Sequence, residues 1–147
     1  MNFDEVKGTV LKAVDSGEVG TPVALRLHLQ QPPSKSALAA RVEALLQLAG
    51  DVFGVTPSKL TARGNAGGKQ LSILFEYASG QTLFVTVGSA AQQATLHLLL
   101  VGNHGLIRLE GAELIGGFTT SAASNSAGWQ SKIDESISSS GPVTIVD

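Results

Sequence analysis

Apolar side chains recur at helical spacing from Phe3 to Val14, where Phe3, Val6, Val10, Leu11 and Val14 share one face. Gly17 and Gly20 of "DSGEVG" then stop the helix, so residues 3–16 are predicted to be a short helix. The period changes at "TPVALRLHLQQ", where Val23, Leu25, Leu27 and Leu29 alternate with Ala24, Arg26, His28 and Gln30. That is a strand with one apolar face. "PPSKSALAARVEALLQLAGDVFG" opens on two prolines and a capping serine, and Leu38, Val42, Leu45, Leu46, Ala49, Val52 and Phe53 return every three or four residues before Gly54. This is the strongest helical pattern in the chain. A short strand is expected near 58–63, followed by a turn at "NAGGK".

From residue 71 to about 110 the pattern is that of an antiparallel meander: "LSILFEY", a turn at "ASGQ", "TLFVTVG", "ATLHLLLVG", a turn at "NHG", and "LIRLEG". Pairing the first two strands about Ser79 and Gly80 sets Leu71, Ile73, Phe75 and Phe84 on one face and Leu74, Leu83, Val85 and Val87 on the other. Both faces are then expected to be substantially apolar. The helices suffice for one face only, so the second is expected to meet another protein surface. Residues 119–128, "TTSAASNSAG", are small and polar and predict a flexible loop. A closing helix follows, with Trp129, Ile133 and Ile137 about four apart and Trp129 as its anchor on the sheet, and "PVTIV" ends the pattern as an extended segment. The expected fold class is therefore α+β, an open and mainly antiparallel sheet with helices packed on one face. Residues 1–147 are expected to form a single domain.

Composition narrows the function classes. The chain is 43% hydrophobic and 15% charged, with a mean hydropathy of +0.20, which agrees with a surface buried in an oligomer. A net charge of -2 supplies no cationic field for nucleic acid or anionic lipid. Without cysteine there are no disulfides, no thiolate nucleophile and no cysteine-ligated zinc, and a cytoplasmic location is expected. The first 20 residues lack the basic start and apolar core of a signal peptide, and no apolar run approaches the roughly 20 residues that span a bilayer. The initiating Met and a helix that begins at once favour a complete unit.

Candidate chemistry is sparse. His28 and His97 lie mid-strand beside Arg26 and Thr95, His104 lies in the "NHG" turn, and no second ligand stands at a metal-binding spacing. Structural or interface histidines are the expectation, with a cross-sheet pairing of His28 to Glu76 or His97 open. The serines of "SNS" and "SSS" lack a nucleophile elbow. No catalytic, cofactor-binding or metal-ligating residue is predicted.

Taken in order, several segments resemble the C-terminal domain of the glucose-fructose oxidoreductase / inositol 2-dehydrogenase (Gfo/Idh/MocA) family. "DSGEVGTP" (15–22) is similar to the turn by which that domain is entered, and "VFGVTPSKLTA" (52–62) to its helix end and following strand. "LSILFEYASGQTLFVTV", "LLLVGNHGLIRLEG" and "SISSSGPVTI" (136–145) resemble its meander and its closing helix. The resemblance implies a domain that usually follows a dinucleotide-binding Rossmann domain and often makes subunit contacts through its sheet.

Two departures limit what the resemblance implies. No strand leads into a GxGxxG helix, and "GNAGG" (64–68) precedes a strand instead. Where the family's substrate-side helix carries an acid-base histidine, this chain has Ala44 and Leu45, with only Arg41, Glu43 and Gln47 as polar neighbours. The expectation is a freestanding, non-catalytic oligomerisation or binding module, a homo-oligomer through the sheet face, without cofactor of its own. Two alternatives stay open: a subunit of an NAD(P)-dependent oxidoreductase completed by a separate Rossmann chain, or a binder of small sugars or polyols. Arg26, His28, Gln47, Glu76 and His97 are the ligand or interface candidates.

Overall fold

The structure, a computed structural model, describes residues 2–32, 38–64, 69–89, 92–113 and 126–145, and within these the side chains of 38–40, 111–113 and 126–130 fall outside the description. Helix α1 (Phe3–Asp15) begins where the Asn2 side chain accepts from the Glu5 amide at 2.8 Å, with Asp4 and Glu5 in its first turn and Lys12 in its last, each sign suited to the local helix dipole. Val6 and Val10 are its buried face. Helix α2 (Leu38–Phe53) buries Val42, Leu45, Leu48, Ala49 and Val52, and Gly54 ends it with φ +72 and an amide bonded to the Gly50 carbonyl. Helix α3 (Ser126–Ser139) starts within the segment expected to be a loop; 119–125, the turn at 65–68 and the Trp129 side chain lie outside the described residues.

Seven strands, β1 (Pro22–Gln30), β2 (Lys59–Gly64), β3 (Gln70–Glu76), β4 (Thr82–Gly88), β5 (Thr95–Gly102), β6 (Leu106–Glu113) and β7 (Val143–Thr144), form one sheet in the order β6-β5-β1-β4-β3-β2-β7. Every neighbouring pair is antiparallel except β1 with β4. The fold is thus an α+β open sheet, as the sequence predicts. The simple meander is not: β1 lies between β4 and β5, because the chain leaves β1 through α2, builds β2–β4 on one side, and returns to lay β5 and β6 on the other.

The face assignment read from the hairpin also needs correction. The Tyr77 amide bonds to the Gln81 carbonyl, and Glu76 pairs with Thr82, so five residues close the turn. Pairing about Ser79 and Gly80 is one residue out of register, and a one-residue slip sends a strand's side chains to the opposite face. In the true register Leu71 faces Val87, Ile73 faces Val85 and Phe75 faces Leu83, all buried, while Leu74 faces Phe84 on the other side. Together with Leu25, Leu27, Leu29, Leu96, Leu98 and Leu100 these make one continuous aliphatic face, against which the helices pack Val6, Val10, Leu45, Leu48 and Ile133. The opposite face is mixed, with Leu74, Phe84 and Leu99 set among arginine, histidine, threonine and serine.

Two local devices hold the rim. Beyond its short pairing with β7, β2 has an amide at Ala62 that bonds to the buried Ser136 hydroxyl of α3 at 2.8 Å, and that hydroxyl donates onward to the Gly141 carbonyl at 2.6 Å. Ser136 therefore closes part of a strand edge that would otherwise hold an unsatisfied donor. At the other end, the turn after α1 interlocks with the β5–β6 turn: the Asn103 side chain accepts from the Thr21 amide at 2.8 Å, and the His104 amide bonds to the Val19 carbonyl. Gly20, at φ +73, leaves this space open, since a Cβ there would stand 2.1 Å from Asn103 Oδ1.

Candidate functional site: the open face of the sheet

Alternation fixes what the uncovered face displays. In β1 the residues between the buried leucines are Arg26, His28 and Gln30, and the pairing aligns them with their neighbours strand by strand. One row reads Arg108, Leu99, Arg26, Phe84, Leu74 and Thr61 from β6 to β2. The next holds His97, His28, Thr86 and Ser72. Among the described residues no helix lies on this side, and Phe84, Leu74 and Leu99 remain half-buried.

The centre of the face is ordered by side-chain contacts. The Arg26 guanidinium stands over the Phe84 ring, 5.9 Å from its centroid, a cation–π arrangement that fixes its long side chain. The His28 and His97 rings lie 5.8 Å apart and tilted by 48°. His28 Nδ1 bonds to the Thr86 hydroxyl, and Gln30 Nε2 lies 3.0 Å from His28 Nε2. Both ring nitrogens of His28 are thus engaged, Nδ1 by a hydroxyl and Nε2 by an amide group. Burial, and secondarily the charge of His97, hold the His28 pKa below its usual value.

A cleft of about 230 Å³ opens beside this pair, lined by Arg26, His28, His97, Leu99, Arg108 and Glu110 among others. A second, of about 210 Å³, lies on the far side of Arg26 between Val101, Ala24, Thr82 and Phe84. Arg26, His28 and His97 are therefore brought together. Glu76 is not: it lies nearer the β2 end and pairs with Lys59 at 3.8 Å. Gln47 is on the solvent side of α2, in the opposite layer. Sequence reasoning missed Gln30, Phe84, Thr86 and Arg108 as members of the cluster; the β1 alternation pointed to Gln30, but the others depend on register and strand order.

Where the resembled family carries its acid-base histidine, α2 presents Ala44 and Leu45, the latter fully buried in the core. Nearby, Arg41 Nε donates to Gln31 Oε1 at 2.9 Å, and burial lowers the arginine's pKa. Glu43 is 6% exposed and its Oε2 has no hydrogen-bond partner among the described residues. These are polar groups at the layer boundary, with no histidine able to move a proton among them. No group of histidines and carboxylates among the described residues could hold a metal ion, and no helix there is long and apolar enough to cross a membrane. The β1–α2 connection contains no glycine, and the β6–α3 connection has only the adjacent Gly116 and Gly117, so the residues do not fit a dinucleotide pyrophosphate site of the strand, glycine turn and helix kind.

No protein-family model matches the chain, and no curated protein matches it. Solved structures do. A protein from Sinorhizobium meliloti 1021 assigned as a myo-inositol dehydrogenase superposes with a TM-score of 0.76 at 14% identity, over 95% of this chain and 62% of that one. The myo-inositol dehydrogenase of Corynebacterium glutamicum ATCC 13032 gives 0.72 at 13% identity, over 99% and 62%. The apo scyllo-inositol dehydrogenase of Lactobacillus casei gives 0.71 at 11% identity, over 97% and 60%. At these identities the likeness is one of fold, and it bears out the fold that the ordered motifs imply. The chain spans about three-fifths of the length of the dehydrogenases it matches.

Proposed function

We propose that this chain is a non-catalytic oligomerisation and binding module, built on the fold of an oxidoreductase domain and associating with a second copy through the open face of its sheet. The observation that carries the reading is the row Leu99, Arg26, Phe84 and Leu74, which runs across four adjacent strands with no covering element among the described residues. Its composition suits an interface: aromatic and arginine side chains at the centre, with Lys59 and Glu76 kept toward the β2 edge. The absence of an acid-base histidine in α2 supports a non-catalytic role. Light scattering across a dilution series tests it. A mass that is a multiple of 15.1 kDa and persists on dilution is expected; 15.1 kDa at every concentration would sink the proposal.

A second reading rests on coverage. Because the matched dehydrogenases are longer, the chain is proposed alternatively as a subunit that a separate Rossmann chain completes, with NAD(P) supplied by that partner. Purification from its native cell would then bring down a dinucleotide-binding protein with it, and its consistent absence would remove this alternative.

A further inference from the structure

We infer that the cleft at the β6 end of the open face binds a small phosphate dianion, either inorganic phosphate or the phosphate group of a monoester. The inference goes beyond self-association and concerns the same face: the anion would sit at the β6 margin of the row proposed to meet a second copy. It begins with Arg26, whose guanidinium is held over Phe84 and makes no ion pair among the described residues. A guanidinium resting on an aromatic face with its donors open is pre-ordered for an oxyanion.

Arg108 enters the same cleft from β6. Register sets Arg26 opposite Leu99 and Leu99 opposite Arg108, so the two arginines are separated by two strand spacings, about 10 Å between their Cα atoms. Both arginines line the cleft, Arg26 from β1 and Arg108 from β6 across Leu99, and forked guanidinium donors match the oxygens of a tetrahedral anion. Among the described residues the one ion pair of Arg108 is with Glu110, at 3.5 Å, with both side chains more than half exposed. Such a screened pair is weak enough to yield to a dianion. His28 and His97 line the floor. With Arg26 and Arg108 against Glu110 alone, the ionised side chains of the cleft sum to +1, on a chain whose net charge is -2. The cationic field is therefore local and suits a small anion better than a polyanion.

The test is NMR titration of the His28 and His97 ring protons with inorganic phosphate and, separately, glycerol 3-phosphate, at constant pH and ionic strength. Saturable shifts are expected, weakened by about tenfold in Arg26→Gln and several-fold in Arg108→Gln, and unchanged in Lys12→Gln on the helical layer. Tighter binding of the monoester would mark an esterified ligand, and equal binding the free anion; both uphold the site. Shifts that grow linearly without saturation would overturn it, as would an Arg108→Gln protein that binds like the parent. Light scattering on the same samples separates this outcome from that for self-association.

Discussion

The two faces of the sheet are made by the same strands and follow opposite rules. On the covered face, β1, β3, β4 and β5 contribute leucine, isoleucine, valine and one phenylalanine, all essentially inaccessible to solvent. On the open face the residues between them are arginine, histidine, glutamine, threonine and serine, interrupted by Leu74, Phe84 and Leu99. The first set specifies packing and is chemically uniform. The second is chemically various, and its contacts, from Arg26 over Phe84 to His28 between Thr86 and Gln30, orient side chains without filling a core. Within one sheet, the buried core is concentrated on one face and the ordered polar side chains on the other.

Paired substitutions would break this division if it is wrong. Ile73→Ala on the covered face should cost about 3 kcal/mol in urea unfolding, whereas its neighbour Leu74→Ala should cost under about 1 kcal/mol. Comparable losses at both positions would mean that the open face is part of the folding core. Ser136→Ala removes the acceptor for the Ala62 amide and should destabilise by about 1–3 kcal/mol. Gly20→Ala forces a side chain into the left-handed region and against Asn103, with an expected loss of about 1–2 kcal/mol and local exchange broadening in the 103–104 turn. The smallest effect is in pH. His28 binds protons less readily folded than unfolded, so its contribution is present above the ordinary histidine value of about 6.5 and is lost as pH falls from there toward its lower folded pKa. His28→Gln should flatten that part of the stability profile; an unchanged slope would assign it to another group.

Most of the architecture was legible in the order of hydrophobic periods. Each predicted helix and strand has its counterpart, because long amphipathic patterns such as Val42 to Val52 allow few alternatives. The hairpin register was not, because "ASGQ" admits two turn lengths whose difference of one residue exchanges Phe84 between faces. Nor was the placement of β1 between β4 and β5, which requires a crossover that no local pattern encodes. The candidate site suffered accordingly. Arg26 and His28 could be joined because they share one strand, and His97 by its matching polar face, but Arg108 and Thr86 depend on strand order. Glu76 and Gln47 were grouped with them by polarity alone, and the fold sets them apart.

The most direct test of the division between the faces is the molar mass of Phe84→Asp, measured by light scattering together with its circular dichroism. The predicted result is a fully folded protein of 15.1 kDa from an oligomeric parent. An unfolded chain would return Phe84 to the core, and a folded chain with the parent's oligomeric mass would show that the open face is not where copies meet.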